Sequence, residues 1–297
     1  MLEEIFSLQP SIPLYHYTDQ HGFLGIIQSK EIWLTHTQYL NDKHEFIYAI
    51  DLLKDEIAIN KANSTDQTDQ KILEKMLDGL DGIHSTNVMV CSFSEASDSL
   101  SQWRAYANKA GVAIGFPGEH LASIAKDNGI HLAKCLYQEN DQRDLIKKVI
   151  QFVFNNYKNG TYDDHFKDDS YIPNQVIPLM LRIAPIIKNP AFSEEKEWRF
   201  ITIKPCTSDK FHFRPSQSFV IPYYRQNLLS IEKELPLEKV VIGPTAEPEL
   251  SRRSINSALA KERSGENGKI ISDKRQNDFL YWSTVKTELS KIPFRNW

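Results

Sequence analysis

The run Val88-Met89-Val90-Cys91-Ser92-Phe93 is the feature that most constrains the fold. It is apolar along nearly its whole length, which is typical of a strand buried on both faces at the centre of a sheet. Further strand patterns occur at Gly111–Phe116 and Trp198–Ile203, with amphipathic helical segments between them. Strands and helices follow no strict βαβ alternation, so the sequence predicts an α+β fold with a mixed, mainly antiparallel central sheet and helices around it.

The segment at about 140–190 differs from the rest, because its apolar residues recur at helical spacing. It is short for an independent core, and a strand pattern resumes directly after it. We therefore expect one α+β domain over residues 1–297 with a helical insertion at about 140–190.

Charge and composition limit the classes of function. A net charge of -4 and a pI near 6.2 argue against a general nucleic-acid or membrane-surface binder, but leave room for a local basic patch. The start is acidic, unlike a signal peptide, and no apolar run reaches the length of a membrane span. Three widely separated cysteines match no disulfide framework or zinc spacing, so we expect a cytoplasmic protein.

Three carboxylates, Glu194, Glu195 and Glu197, stand at the entrance of the Trp198–Ile203 strand. Alternation places Arg199 on the face opposite Trp198 and puts Glu195 and Glu197 on one side of an extended chain. Such a cluster is either solvated, paired with Arg199 as a structural ion pair, or placed to stabilise an oxocarbenium-like centre or bind a ribose hydroxyl.

His16 and Thr18 share one face of the strand Leu14-Tyr15-His16-Tyr17-Thr18. Together they could hold a ribose or an amide through hydrogen bonds. The alternative is a histidine at a strand end that is satisfied by backbone groups.

Two further elements carry polar and aromatic candidates. Ser92 and Ser94 share a face at the exit of their strand, where hydroxyls can orient a carboxylate. Trp103 and Tyr106 lie one turn apart on the next helix and could stack on a flat heterocycle, although aromatics at helical spacing more often belong to a core. The sequence has no recognised metal-ligand pattern.

In order along the chain, these motifs resemble a bacterial family known as domain of unknown function 2971. The resemblance rests on Leu14-Tyr15-His16-Tyr17-Thr18, Leu40-Asn41-Asp42 with Glu45, Ser92-Phe93-Ser94, Gln102-Trp103-Arg104-Ala105-Tyr106, Glu195-Lys196-Glu197-Trp198-Arg199 and Ile242-Gly243-Pro244. It covers nearly the whole chain and implies no settled activity.

The order of a strand histidine, a Ser-x-Ser strand and a Glu-x-Glu segment is also similar to the ADP-ribosyltransferase superfamily. This similarity implies that NAD is the substrate, that Glu197 binds its ribose hydroxyl and favours departure of nicotinamide, and that Glu195 faces the acceptor. The remaining implied roles are ribose binding by His16, orientation by Ser92, and stacking by Tyr106 or Trp103.

A toxin or anti-phage effector that modifies protein or nucleic acid, restrained by a partner protein, would fit this resemblance. The chain departs from the pattern in its Ser-Phe-Ser motif, its helical aromatic, and the longer spacing to Glu197. One alternative is a non-catalytic binding or regulatory module. Another is a metal-dependent hydrolase, which would require Asp42, Glu45 and Glu197 to converge on a cation.

Overall fold

The computed structural model describes residues 5–40, 45–78, 80, 83, 86–106, 110–158, 171–263 and 285–293. The strands are β1 Leu14–Asp19, β2 Glu31–His36, β3 Val88–Ser94, β4 Gly111–Phe116, β5 His131–Lys134, β6 Glu197–Ile203, β7 Phe211–Pro215, β8 Val220–Asn227, β9 Lys239–Ile242 and β10 Lys286–Leu289. The helices are α1 Gln20–Ser29, α2 Glu45–Asn63, α3 Gln67–Lys75, α4 Leu100–Tyr106, α5 Gly118–Asp127, α6 Glu139–Lys158, α7 Tyr171–Ile183 and α8 Pro248–Arg263.

The described strands form one mixed sheet in the order β10-β9-β4-β1-β3-β2-β8-β7, with β6 paired to β3 and β5 paired to β6. Strands β9 and β10 run parallel, and the other named pairs are antiparallel. This architecture confirms the predicted α+β class and its mainly antiparallel sheet. The helices α6 and α7 lie between β5 and β6 in the chain, in the segment predicted to be helical.

Strand β3 organises the sheet because it pairs with three others. One edge pairs with β6 along its whole length, from Val88 to Ser94. At the other edge β1 meets Ser94, whereas β2 meets Met89 and Val90 at the opposite end. The strands β1 and β2 therefore diverge along this edge, and the sheet is split beside the middle of β3.

The two faces of the sheet carry different cores. Helices α1, α5 and α8 cover the back face, which includes Leu14, Phe93 and Phe200. On the front face, α2, α3, α6 and α7 form a second core with Val90 and Ile201. The short helix α4 packs on β1 at the same front face. Burial on both sides explains why β3 is nearly all apolar in sequence.

Most predicted elements lie within two or three residues of the observed ones. Asp19, a residue type favoured at N-caps and placed just before the helical pattern from Gln20, caps α1: its Oδ1 accepts a hydrogen bond of 2.7 Å from Gly22 N. The elements α5, β5 and β7 were not predicted, and β10 lies in a segment whose polar composition predicts a tail without a strand. Asn41, Asp42 and the strand predicted at 269–272 lie outside the described residues.

Candidate functional site

The entrance of β6 is built on the front face of the sheet. Glu197 lies opposite Ser94 and Arg199 lies opposite Ser92 in the β3–β6 register. Directly opposed residues in an antiparallel pair share a face, so these four side chains are on one side. Trp198 and Phe200 belong to the core on the back face. The predicted alternation along this strand is confirmed.

Four charged side chains form a buried network, which we call the charge cluster: Lys188, Glu195, Glu197 and Arg199. Lys188 Nζ lies 2.5 Å from Glu195 Oε2 and 2.6 Å from Glu197 Oε2. Arg199 donates to Glu197 through Nε at 2.7 Å and Nη2 at 3.0 Å, and its Nη1 donates to Pro185 O at 2.7 Å. Two cations thus balance two anions.

The surroundings of Glu197 keep it ionised. Burial by itself disfavours the charged carboxylate, but the Arg199 guanidinium and the Lys188 ammonium outweigh that cost and lower the pKa of Glu197 to about 2. Only 3% of the residue is exposed. Both carboxylate oxygens accept hydrogen bonds from cations, Oε1 one and Oε2 two, and the side chains that enclose Glu197 would have to move before a ligand hydroxyl reached it.

Neutral groups fix the backbone around the charge cluster. Ser94 Oγ donates to Glu195 O at 2.7 Å and accepts from Ala96 N at 3.0 Å. The hydroxyl of Tyr137 accepts a hydrogen bond of 2.9 Å from Glu197 N. A 3₁₀ turn, Pro190–Glu195, carries Glu195 into the cluster and ends at Lys196 in the left-handed region, with φ 45°. The cluster is held from both strands and from this turn.

Two aromatic residues border the charge cluster, and each is 37% exposed: Tyr106 at the end of α4 and Phe192 in the 3₁₀ turn. Lys188 Nζ lies 5.3 Å from the centre of the Phe192 ring. Burial of the phenol and the Glu197 charge raise the pKa of Tyr106 to about 12. The helix α4 and the turn pack against each other. We call these two rings the aromatic border.

Trp103 lies elsewhere on α4 and is buried. Its ring meets the Tyr17 ring edge-on at 4.6 Å, and its Nε1 donates to Asp98 Oδ1 at 2.7 Å. Of the two predicted stacking residues, the structure places Trp103 in a small core with Tyr15 and Tyr17, and Tyr106 beside the cluster.

His16 lies on the back face, in the split between β1 and β2. Its ring is 5.9 Å from that of Phe93, and its Nδ1 lies 3.0 Å from Ser92 O. Burial lowers the pKa of His16, which favours a neutral ring with a proton on Nδ1 that is donated to this carbonyl. The expected meeting of His16 and Glu197 around one hollow is not observed, since the pleat directs them to opposite faces.

The other predicted residues of this region are placed as follows. Thr18 shares the His16 face and packs closely on Gly22, whose Cβ position would lie 2.0 Å from Thr18 Oγ1. Ser92 is half-buried on the Glu197 face and uses its carbonyl to bind His16. Convergence of Asp42 and Glu45 with Glu197 stays a prediction, since residues 41–44 are outside the described ranges.

A Cys–His pair also occurs here, with Cys91 Sγ 3.7 Å from His16 Nδ1. Burial, followed by the Glu197 charge, raises the pKa of the Cys91 thiol. A nucleophilic cysteine needs a lowered pKa, so this pair does not have the electrostatics of an activated thiolate. Within the described residues, no group of three or more His, Cys, Asp or Glu side chains could hold a metal ion.

The sequence did not single out four residues that build this site, Lys188, Tyr137, Phe192 and Ser94. Ser94 contributes the hydroxyl that supports the charge cluster. Ser94 was part of the Ser-x-Ser motif, and its register with Glu197 could have singled it out. Lys188 carries no such signal, because a lysine between a helix and a loop is usually exposed.

Comparison with known proteins gives one family. Residues 102–200 match the family described as "Protein of unknown function (DUF2971)". This range contains α4 from Gln102 onwards and the four residues of the charge cluster. No curated protein and no solved structure matches the chain. None of the described helices is long and apolar enough to cross a membrane.

Proposed function

We propose that the chain is a non-catalytic ligand-binding module in which the charge cluster is a rigid base and the aromatic border is the binding surface. The observation that supports this proposal is that Arg199 and Lys188 donate hydrogen bonds to both carboxylate oxygens of Glu197. An acid engaged in this way has little freedom to act on a substrate. Its burial and pairing suit it to hold β6 and the 3₁₀ turn together.

The ligand class follows from the aromatic border. Tyr106 and Phe192 present ring surface at the rim of a buried polar region, and such half-exposed rings bind planar groups by stacking. We propose a ligand with a flat heterocycle, such as the base of a nucleotide. Its polar groups would face the side of the cluster that carries Lys188.

A thermal-shift screen with NAD, ADP-ribose, ATP, adenosine and nicotinamide tests this proposal. A ligand that binds only the folded protein raises the melting temperature with concentration. We expect Tyr106→Ala and Phe192→Ala to abolish the shift. The control Phe213→Ala removes an exposed ring on β7 and should preserve it. A flat response to all five compounds, or equal shifts in all three variants, would contradict the proposal.

NAD-dependent ADP-ribosyl transfer is the second candidate. It is favoured by one observation, that the Tyr106 phenol is close enough to Glu197 for the carboxylate to raise its pKa. In this reaction the nicotinamide would stack on the Tyr106 ring, and the Glu197 carboxylate beside it would bind the ribose hydroxyl. Binding of NAD would then have to draw Lys188 away from Glu197, and His16, Thr18, Ser92 and Trp103 would act mainly as supports.

Nicotinamide release separates the two candidates. The protein is incubated with NAD and with protein or nucleic-acid acceptors, alongside Glu197→Gln and the exposed control Glu249→Gln. Release that Glu197→Gln abolishes, in a variant that still shows the NAD-dependent thermal shift, supports the transferase. Binding without release supports the module, and absence of both rejects NAD as the ligand.

A further inference from the structure

A second surface lies at the far end of the sheet, on strands β2, β8 and β7. In the register Trp33 opposes Arg225, Thr35 opposes Tyr223, and Tyr223 opposes His212. Arg214 opposes Ile221 and continues the same alternation. All of these side chains therefore share one face of the sheet. The opposite face of these strands contributes Leu34 and Tyr224 to the core.

Four aromatic residues lie at this end of the sheet in two ring pairs, Trp33 with Tyr223 and Tyr39 with Phe219, and together we call them the aromatic stripe. The Trp33 ring stacks on Tyr223, with centres 4.2 Å apart and planes 29° apart, and the Phe219 ring meets Tyr39 at 5.4 Å. Trp33 is 44% exposed and Phe219 is 48% exposed. Tyr223 is buried, so the exposed ring surface here comes mainly from Trp33 and Phe219.

Cationic groups flank the aromatic stripe. Arg214 Nε is buried, and no hydrogen-bond partner for it occurs among the described residues. Arg214 as a residue is only half-buried, and the exposed part of its guanidinium can bind an anionic oxygen. Arg225 is paired with Glu31 at 2.6 Å, and the ring of His212 lies 5.7 Å from that of Tyr223. Arg214 is therefore the main candidate for an anion contact.

We propose that this surface binds single-stranded nucleic acid. Bases would stack on the aromatic stripe, beginning at Trp33, and a phosphate would accept a hydrogen bond from Arg214. Sheet faces with exposed aromatic rings and neighbouring cations bind single strands in this way, because every base has a π face. The net charge of -4 argues against general electrostatic attraction to nucleic acid, so binding would depend on this local patch.

This surface is separate from the aromatic border, and the two proposals can fail independently. A protein partner is less favoured, because stacked rings beside an unsatisfied guanidinium donor match a base and its phosphate more closely than an apolar interface. A second copy of the chain could also cover the aromatic stripe, and it enters the test as an opposing outcome.

Fluorescence anisotropy with labelled 12-nucleotide single strands of RNA and DNA, and a duplex of the same sequence, tests the proposal at 50 mM salt. We expect binding of at least one single strand, with the duplex bound more weakly. Trp33→Ala should weaken binding about tenfold, and Trp33→Phe should restore most of it. The matched control Phe213→Ala removes an exposed ring that alternation places on the opposite face and should bind like wild type.

Arg214→Gln provides a second variant with an independent signature. Loss of one phosphate contact should reduce the slope of log affinity against log salt by about 0.7 for a single strand. A preference for RNA or for DNA identifies the natural ligand class and supports the proposal in either case. Absence of binding, equal binding of the duplex, or equal effects of Trp33→Ala and Phe213→Ala would overturn it. Sedimentation that shows a dimer dissociated by Trp33→Ala would also overturn it, because the surface would then be an interface between copies.

Discussion

Arg199 binds both carboxylate oxygens of Glu197, the residue two positions before it on the same strand, through Nε at 2.7 Å and Nη2 at 3.0 Å. Because side chains two apart share a face of the sheet, the pair forms without bending the chain. Lys188 completes the arrangement from the segment that precedes the strand. Through Lys188 and Pro185 O, the pair joins β6 to the helical region that precedes it in the chain.

Replacing Glu197 by Gln should destabilise the fold. The change removes one anion from a buried, balanced set and leaves one excess positive charge, because Glu195 still pairs with Lys188. Breaking a buried ion pair from one side costs on the order of 3 kcal/mol. Urea unfolding followed by circular dichroism measures it. Glu249→Gln, which removes an exposed partner of Arg252, should change the free energy of unfolding by less than about 1 kcal/mol. Equal stability of the two variants would argue against a structural role for Glu197.

Acid should destabilise the protein through the same residue. The pKa of Glu197 is about 2 in the folded protein, against an ordinary value of 4.5. A lowered folded pKa means that this carboxylate stabilises the fold above about pH 4.5, and that the contribution is lost as the pH falls towards 2. Unfolding free energies measured between pH 6 and pH 2.5 should therefore fall less steeply in Glu197→Gln than in wild type.

Glu288→Gln is the matched control for this pH series. Hydrogen bonds from Lys239 and Lys286 lower the pKa of Glu288 to about 2 as well, but its side chain is 34% exposed. Solvent screening weakens its contribution, so this variant should flatten the pH profile less than Glu197→Gln does. The reverse order would contradict the prediction.

The two serines of β3 should differ in importance. Ser94→Ala removes the hydroxyl that links Glu195 O to Ala96 N, which leaves a buried carbonyl and a partly buried amide without this partner. We expect a loss of roughly 1–3 kcal/mol of unfolding free energy. Ser92→Ala alters a half-buried hydroxyl and keeps the carbonyl that binds His16, so its effect should stay within about 0.5 kcal/mol. Denaturant titration of both variants decides between Ser94 and Ser92 as the supporting residue.

His16 should be neutral at pH 6.5 and carry its proton on Nδ1. Burial lowers the pKa of His16 below its ordinary value of 6.5, and Ser92 O accepts the proton of Nδ1 at 3.0 Å. Protonation of the second nitrogen therefore favours the unfolded chain, and the stability of the fold falls as the pH drops below 6.5. Nitrogen-detected NMR of ¹⁵N-labelled histidine reads the tautomer and the pKa. A ring that is mainly doubly protonated at pH 6.5 would contradict the burial argument.

The sequence by itself determined the strands and their faces. An apolar run identified β3 as central, and alternation identified the faces of Tyr15, His16 and Arg199 correctly, because the pleat of a strand is a local property. Asp19 was recognisable as the cap of α1 for the same reason, since its hydrogen bond spans only three residues.

Only the tertiary structure decided which groups meet. Lys188 reaches Glu197 because α7 and the turn after it return to β6, and no spacing in the chain encodes that contact. The separation of His16 from Glu197 depends on the register of β1 and β6 on β3: Ser94 opposes both Tyr15 and Glu197, so His16 lies on the other face. Local sequence specifies how each strand is pleated. The pairing of strands distant in the chain depends on the packing of the whole sheet, and it is this pairing that assembles the site.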